Sequence, residues 1–172
     1  MKIYRIASAP QGNVELDGTK LTVYHRTKSG DLGGSICNVG FLAGSGAAYG
    51  KGIYSTYTIE STLRNNMLHG YGSEVVKGSM DIKGFLIFDY PIAKMIYGND
   101  YKLIDQIRII GEDKIFGFAS NKEETRRRFE KYSEELETMP HSSHIAMNVC
   151  TRYSFDRTGL SGVIYTGETD GN

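Results

Sequence analysis

The chain has 172 residues with 20 Lys and Arg against 20 Asp and Glu, 40% hydrophobic and 23% charged, the profile of one compact domain spanning 1–172, with a core large enough to need neither disulfides nor a structural metal. A formal net charge of zero argues against a duplex nucleic-acid binder, whose affinity comes from neutralising phosphates with a clustered basic surface. Cys37 and Cys150 form no CxxC pair, no apolar run approaches the ~20 residues of a membrane helix, and the amino terminus lacks a secretory apolar stretch, so the expected setting is the cytoplasm or a virion.

Taken in chain order, Lys2 to Ile6 alternates weakly before the turn signal Pro10-Gln11-Gly12-Asn13, which predicts a short strand or a terminal tail. Leu21-Thr22-Val23-Tyr24 follows the Asp17-Gly18 turn and combines β-branched and aromatic residues, so it predicts a strand that delivers His25 at its end. From Ser29 to Gly52 glycine recurs too often for a long regular element; Ile36 to Phe41 fits one helical turn closed by Gly40. Gly52 to Thr56 predicts a strand, and Thr58 to Leu68 a helix capped by Thr58 or Thr56.

Further on, Lys83 to Asp89, with Phe85-Leu86-Ile87-Phe88 at its centre and Pro91 beyond, predicts a strand buried on both faces. Tyr101 to Ile110 places Leu103, Ile104, Ile107 and Ile110 at helical spacing and stops at Gly111. Asn121 to Thr138 is a charged surface helix whose Arg126-Arg127-Arg128 run is offset by neighbouring Glu. Arg152 to Phe155 and Gly162 to Tyr165 are the last predicted strands. Strands interleaved with short helices predict an α+β fold of two packed sheets around a cleft.

The chemistry concentrates between Tyr24-His25-Arg26-Thr27 and Tyr49-Gly50-Lys51-Gly52-Ile53-Tyr54. An imidazole at a strand end can fix a ribose hydroxyl, and a tyrosine at another offers a flat face for an aromatic ligand. Gly50 and Gly52 would let backbone approach that ligand. Singly, each residue has a structural explanation; together they point to a nucleotide-type site.

This order of parts resembles the diphtheria-toxin-like ADP-ribosyltransferases, the group that includes the poly(ADP-ribose) polymerases. The match rests on Val23-Tyr24-His25-Arg26-Thr27, Ile36 to Phe41 and Tyr49-Gly50-Lys51-Gly52-Ile53-Tyr54, and it covers residues 21–68 well and the rest by element order. The resemblance implies NAD as co-substrate, with His25 on the adenosine-side ribose and Tyr54 stacked on nicotinamide. The Arg26 backbone clamps the carboxamide beside Thr27, Gly52 lies along the ligand, and Thr62 donates to the carboxamide oxygen. Arg26 departs from the polymerases, which have glycine there. Asn65 stands where they have a second stacking tyrosine, a place that Tyr57 or Tyr71 would fill unless the stack is one-sided.

The family's third element is an acid on a late strand, which steadies the oxocarbenium-like state as the nicotinamide–ribose bond breaks. Glu168, then Asp170, are the candidates in Gly167-Glu168-Thr169-Asp170; alternatively, the acid belongs to a last strand beyond Asn172. The implied activity is mono-ADP-ribosylation of a macromolecular target, protein first, by a toxin, phage or viral host-modifier. A catalytically silent relative of the same fold is the alternative, and an NAD-using RNA phosphotransferase a third. His141 and His144 lack further metal ligands nearby, no Gly-x-Ser-x-Gly elbow is present, and the glycines lack the Gly-Lys-Ser/Thr ending of a phosphate-binding loop.

Overall fold

The computed structural model describes residues 3–8, 12–26, 37, 51–63, 74–138, 146, 148, 149, 152, 153 and 155–166. Within them the fold is mixed α+β, with one parallel and one antiparallel sheet. The strands are β1 (Tyr4–Ser8), β2 (Leu16–Asp17), β3 (Lys20–Arg26), β4 (Ile53–Ser55), β5 (Val75–Asp81), β6 (Leu86–Ile87) and β7 (Gly162–Thr166). Four helices, α1 (Tyr90–Tyr97), α2 (Leu103–Ile110), α3 (Glu112–Phe116) and α4 (Lys122–Thr138), and a 3-10 turn at Phe155–Arg157 fill the span between β6 and β7.

The parallel sheet has the order β4-β1-β7-β6. β1, whose weak alternation predicts a marginal strand or tail, is a central strand with a parallel partner on each side. A strand covered on both faces has no reason to alternate, and every residue of β7 beside it is buried. The antiparallel sheet has the order β2-β3-β5, and β3 and β5 pair along their full length from Lys20↔Asp81 to Arg26↔Val75. β5 escapes sequence reading because Lys77, Gly78 and Ser79 lie exposed on its edge.

The predicted strand over Lys83 to Asp89 is shorter than expected. Only Leu86 and Ile87 join the ladder, and Pro91 opens α1 instead of merely closing the strand. Asp89 caps that helix, its Oδ1 accepting from the Ile92 amide at 2.9 Å, with Pro in the first turn where its missing N–H costs nothing. The exposed backbone of the sheet edge is closed by a side chain: Gln106 of α2 accepts from the Ile87 amide at 2.6 Å and donates to the Ile87 carbonyl at 3.1 Å. One buried amide thus does the work of a neighbouring strand.

α2 and α4 lie where their periodicities predict, α2 ending at Gly111 with φ 109°. The predicted strand at Arg152 to Phe155 is corrected: Arg152 is helical and Phe155 begins the 3-10 turn. Tyr153 and Phe155 stand 5.1 Å apart in one aromatic cluster, and Tyr153 lies 5.2 Å from Phe129. This cluster gathers rings from α3, α4 and the turn, so Tyr153 and Phe155 are held by packing against helices and not by a ladder of strand hydrogen bonds. The turn predicted at Ile36 to Phe41 lies outside the described residues except for Cys37, which is exposed and free. No helix among the described residues is long and apolar enough to cross a membrane.

Candidate functional site

The two sheets meet where β3 passes the end of β4. Tyr24 and Thr56 form an antiparallel bridge, with the Tyr24 amide 2.7 Å from the Thr56 carbonyl and the Thr56 amide 2.8 Å from the Tyr24 carbonyl. This seam brings the next β3 residue, His25, onto β4: its Nδ1 lies 2.6 Å from the main-chain oxygen of Tyr54, 29 positions away. A carbonyl oxygen can only accept, so Nδ1 carries the proton. In the neutral ring Nε2 is then the lone-pair nitrogen, the tautomer that receives a hydrogen bond from a hydroxyl. Both residues are half-buried.

Beneath Tyr54 lies Arg5, a residue that sequence reasoning passes over as part of a terminal strand. In the sheet register Arg5 is the partner of Tyr54, so both side chains share a face. The Arg5 guanidinium carbon is 5.9 Å from the Tyr54 ring centroid and 5.9 Å from that of Phe155, within cation–π range. Arg5 is 1% exposed and bonds Asp156 at 2.7 Å. Its Nε and Nη2 donate to the Lys51 carbonyl at 3.2 and 3.0 Å. A desolvated guanidinium needs such partners, and its Nη1 has none among the described residues.

Gly52 is buried against β1. A Cβ there would meet the Ile3 carbonyl at 2.7 Å and Arg5 Nε at 2.9 Å. The missing side chain therefore faces protein, and the glycine is required by packing on the central strand whether or not a ligand lies nearby. Ser8 at the end of β1 anchors the outgoing chain, its Oγ accepting from the amides of Tyr57 and Thr58 at 2.8 and 3.1 Å.

Residues 59–63 are helical, and the Thr58 hydroxyl caps them by accepting from the Ser61 amide at 3.3 Å. Thr62 sits on the inner side of this turn, 1% exposed. Its hydroxyl donates to the Thr58 carbonyl at 3.0 Å and meets the Thr56 hydroxyl, so its one proton is consumed within the fold. The Arg26 side chain reaches toward the same turn, with Nη1 3.4 Å from the Thr62 carbonyl. Thr27, Glu168, Asp170, Tyr71, His141 and His144 lie outside the described residues.

Tyr57, expected as one possible second stacking ring, is 2% exposed and belongs to the core. Its hydroxyl donates to Asp89 Oδ2, which also accepts from Thr166 at 2.8 Å. Burial, reinforced by the Asp89 charge, holds the Tyr57 phenol well above its ordinary value. Asp89 thus joins the ends of β6 and β7, the start of α1 and the segment after β4. The signal for it was present as an Asp two residues before Pro, a helix-start pattern. Among the described residues no three His, Cys, Asp or Glu side chains gather as a metal site. Compared with known family models, curated proteins and solved structures, the chain has no significant match to any of them.

Proposed function

We propose that this chain is a mono-ADP-ribosyltransferase of the His-Tyr-acid type, its two sheets forming an ADP-ribosyltransferase-like frame with NAD in the cleft. What carries the reading is the seam at which the His25 imidazole is bonded to the backbone of Tyr54. In this reading the lone pair of His25 Nε2 accepts from a ribose hydroxyl, and the Tyr54 ring, backed by Arg5, stacks on nicotinamide. The Arg26 and Thr27 backbone and the Gly52 segment line the dinucleotide.

The bond between the nicotinamide nitrogen and ribose C1′ breaks, and nicotinamide leaves as a neutral molecule carrying the bonding pair. The ribose becomes oxocarbenium-like, stabilised by a carboxylate, for which Glu168 stands. A nucleophile of the macromolecular target, proposed to be a protein in the host cytoplasm or virion, bonds to C1′ and loses its proton to that carboxylate or to water.

One observation favours a second reading, a module that holds NAD or a target without turnover. The Thr62 hydroxyl and the Tyr57 ring, which would orient nicotinamide, are both committed inside the fold. The experiment is to incubate the full chain with NAD labelled on adenosine and candidate protein targets, measuring label transfer, nicotinamide release and the melting temperature. Transfer or release that is lost in His25→Ala supports the transferase. A raised melting temperature without release supports the silent module, and absence of all three removes both.

A further inference from the structure

α4 pairs its cations unevenly. Lys122 lies 3.3 Å from Asp113, Arg126 lies 2.8 Å from Glu112 and 3.7 Å from Glu130, and Arg127 lies 3.5 Å from Glu124. Arg128 and Lys131 have no ion pair among the described residues, and neither has Arg152 from the segment opposite. In a chain with equal numbers of acidic and basic residues, these three cations line one groove of about 630 Å³. Arg128 and Lys131 are i,i+3 neighbours on the helix, so both side chains leave the same face. Tyr132, 7% exposed, lies at the floor, and Asn148 adds an amide to the wall.

The groove is bounded along the helix axis by Glu124 at one end and Glu135 at the other. From Arg127 to Lys131 the axis rises only ~6 Å at 1.5 Å per residue. An extended polyanion lying along α4 would pass over a carboxylate at each end, whereas one compact, doubly charged group sits between them. Tyr132 is too buried to serve as a stacking platform for successive bases, which single-stranded nucleic acid would call for. The two guanidinium forks match tetrahedral oxygens and the ammonium adds a point charge, the donor set for a phosphoryl dianion. The volume leaves room for an organic group beyond the phosphoryl oxygens.

We propose that the groove between α4 and Arg152 is a binding site for a small organic phosphate monoester, held by Arg128, Lys131 and Arg152. It shares no residue with the His25–Tyr54 seam and stands or falls apart from the transferase reading. Concave walls concentrate the field of the three cations, so the phosphoryl group is drawn to the groove and not to the paired cations elsewhere on α4.

The test is calorimetric titration of the full chain with phenyl phosphate, with inorganic phosphate and a series of thymidine oligonucleotides as further arms. Saturable binding of phenyl phosphate, tighter than that of inorganic phosphate, is expected. It weakens at least about tenfold in each of Arg128→Gln, Lys131→Gln and Arg152→Gln, each removing a charge-assisted contact, and is unchanged in Lys122→Gln, whose ammonium faces Asp113. All four variants change solvent-facing groups and keep the wild-type melting temperature. No saturable binding, binding by the three groove variants equal to that of the wild type, or oligonucleotide affinity that climbs with each added nucleotide would overturn the proposal.

Discussion

The imidazole Nδ1 of His25 and the main-chain oxygen of Tyr54 are 2.6 Å apart, so a side chain of the antiparallel sheet is bonded to the backbone of the parallel one. The contact fixes the imidazole tautomer and the distance between the two strand tips in a single bond. Replacing His25 by Ala removes both the bond and the lone-pair nitrogen. If the chain is the proposed NAD-dependent transferase, the expected result is a drop in kcat/KM for NAD of about tenfold or more, the value of one lost hydrogen bond near 1.4 kcal/mol. Tyr54→Phe keeps the stacking face and stays close to wild type, while Tyr54→Ala loses about as much as His25→Ala. Nicotinamide release measured across NAD concentrations checks all three.

Gly52 and Arg5 pack so closely that a single methyl group has nowhere to go. Gly52→Ala sets a Cβ against the Ile3 carbonyl and Arg5 Nε, and backbone on the central strand yields little. A loss of about 1–3 kcal/mol is expected, read as a lower urea midpoint in the absence of any ligand. An unchanged midpoint would show that β1 shifts freely, contrary to its position between two partner strands.

Gln106 closes the edge of the parallel sheet. Gln106→Met conserves volume but leaves the Ile87 amide buried without its partner, the Gln106 side chain, while the Ile87 carbonyl keeps the Tyr101 hydroxyl at 3.0 Å. One unsatisfied buried group sets the expected loss at about 1–3 kcal/mol. Urea unfolding measures it, and protection of the Ile87 amide against hydrogen exchange should fall with it.

Four phenols, Tyr57, Tyr97, Tyr101 and Tyr153, are held above the ordinary tyrosine value of 10.0, in each case chiefly by burial. A raised folded value means that the native state keeps protons which the unfolded chain releases. Their contribution is fully present below pH 10 and is lost as the pH rises above it. For Tyr57 and Tyr101 the slope approaches about 1.4 kcal/mol per pH unit for each phenol. Tyrosinate absorbance should show at least three fewer ionised rings in native than in urea-unfolded protein at pH 11, and the urea midpoint should fall between pH 10 and 12. Identical absorbance in the two states would contradict the burial of these rings.

Sequence periodicity is enough for β3, β4, β7, α2 and α4, because hydrophobic spacing, strand-end residues and a glycine stop are local signals. It could not rank β1 as central or find β5. Which strand lies inside a sheet depends on partners far along the chain, and an exposed edge strand leaves little apolar pattern. The roles of Arg5, Asp89 and Gln106 were likewise decided only in three dimensions: a polar side chain becomes structural when its neighbours take water away from it, and desolvation belongs to the assembled fold. The same is true of Thr62, whose hydroxyl reads as available in sequence and is spent on Thr58 once the turn has formed.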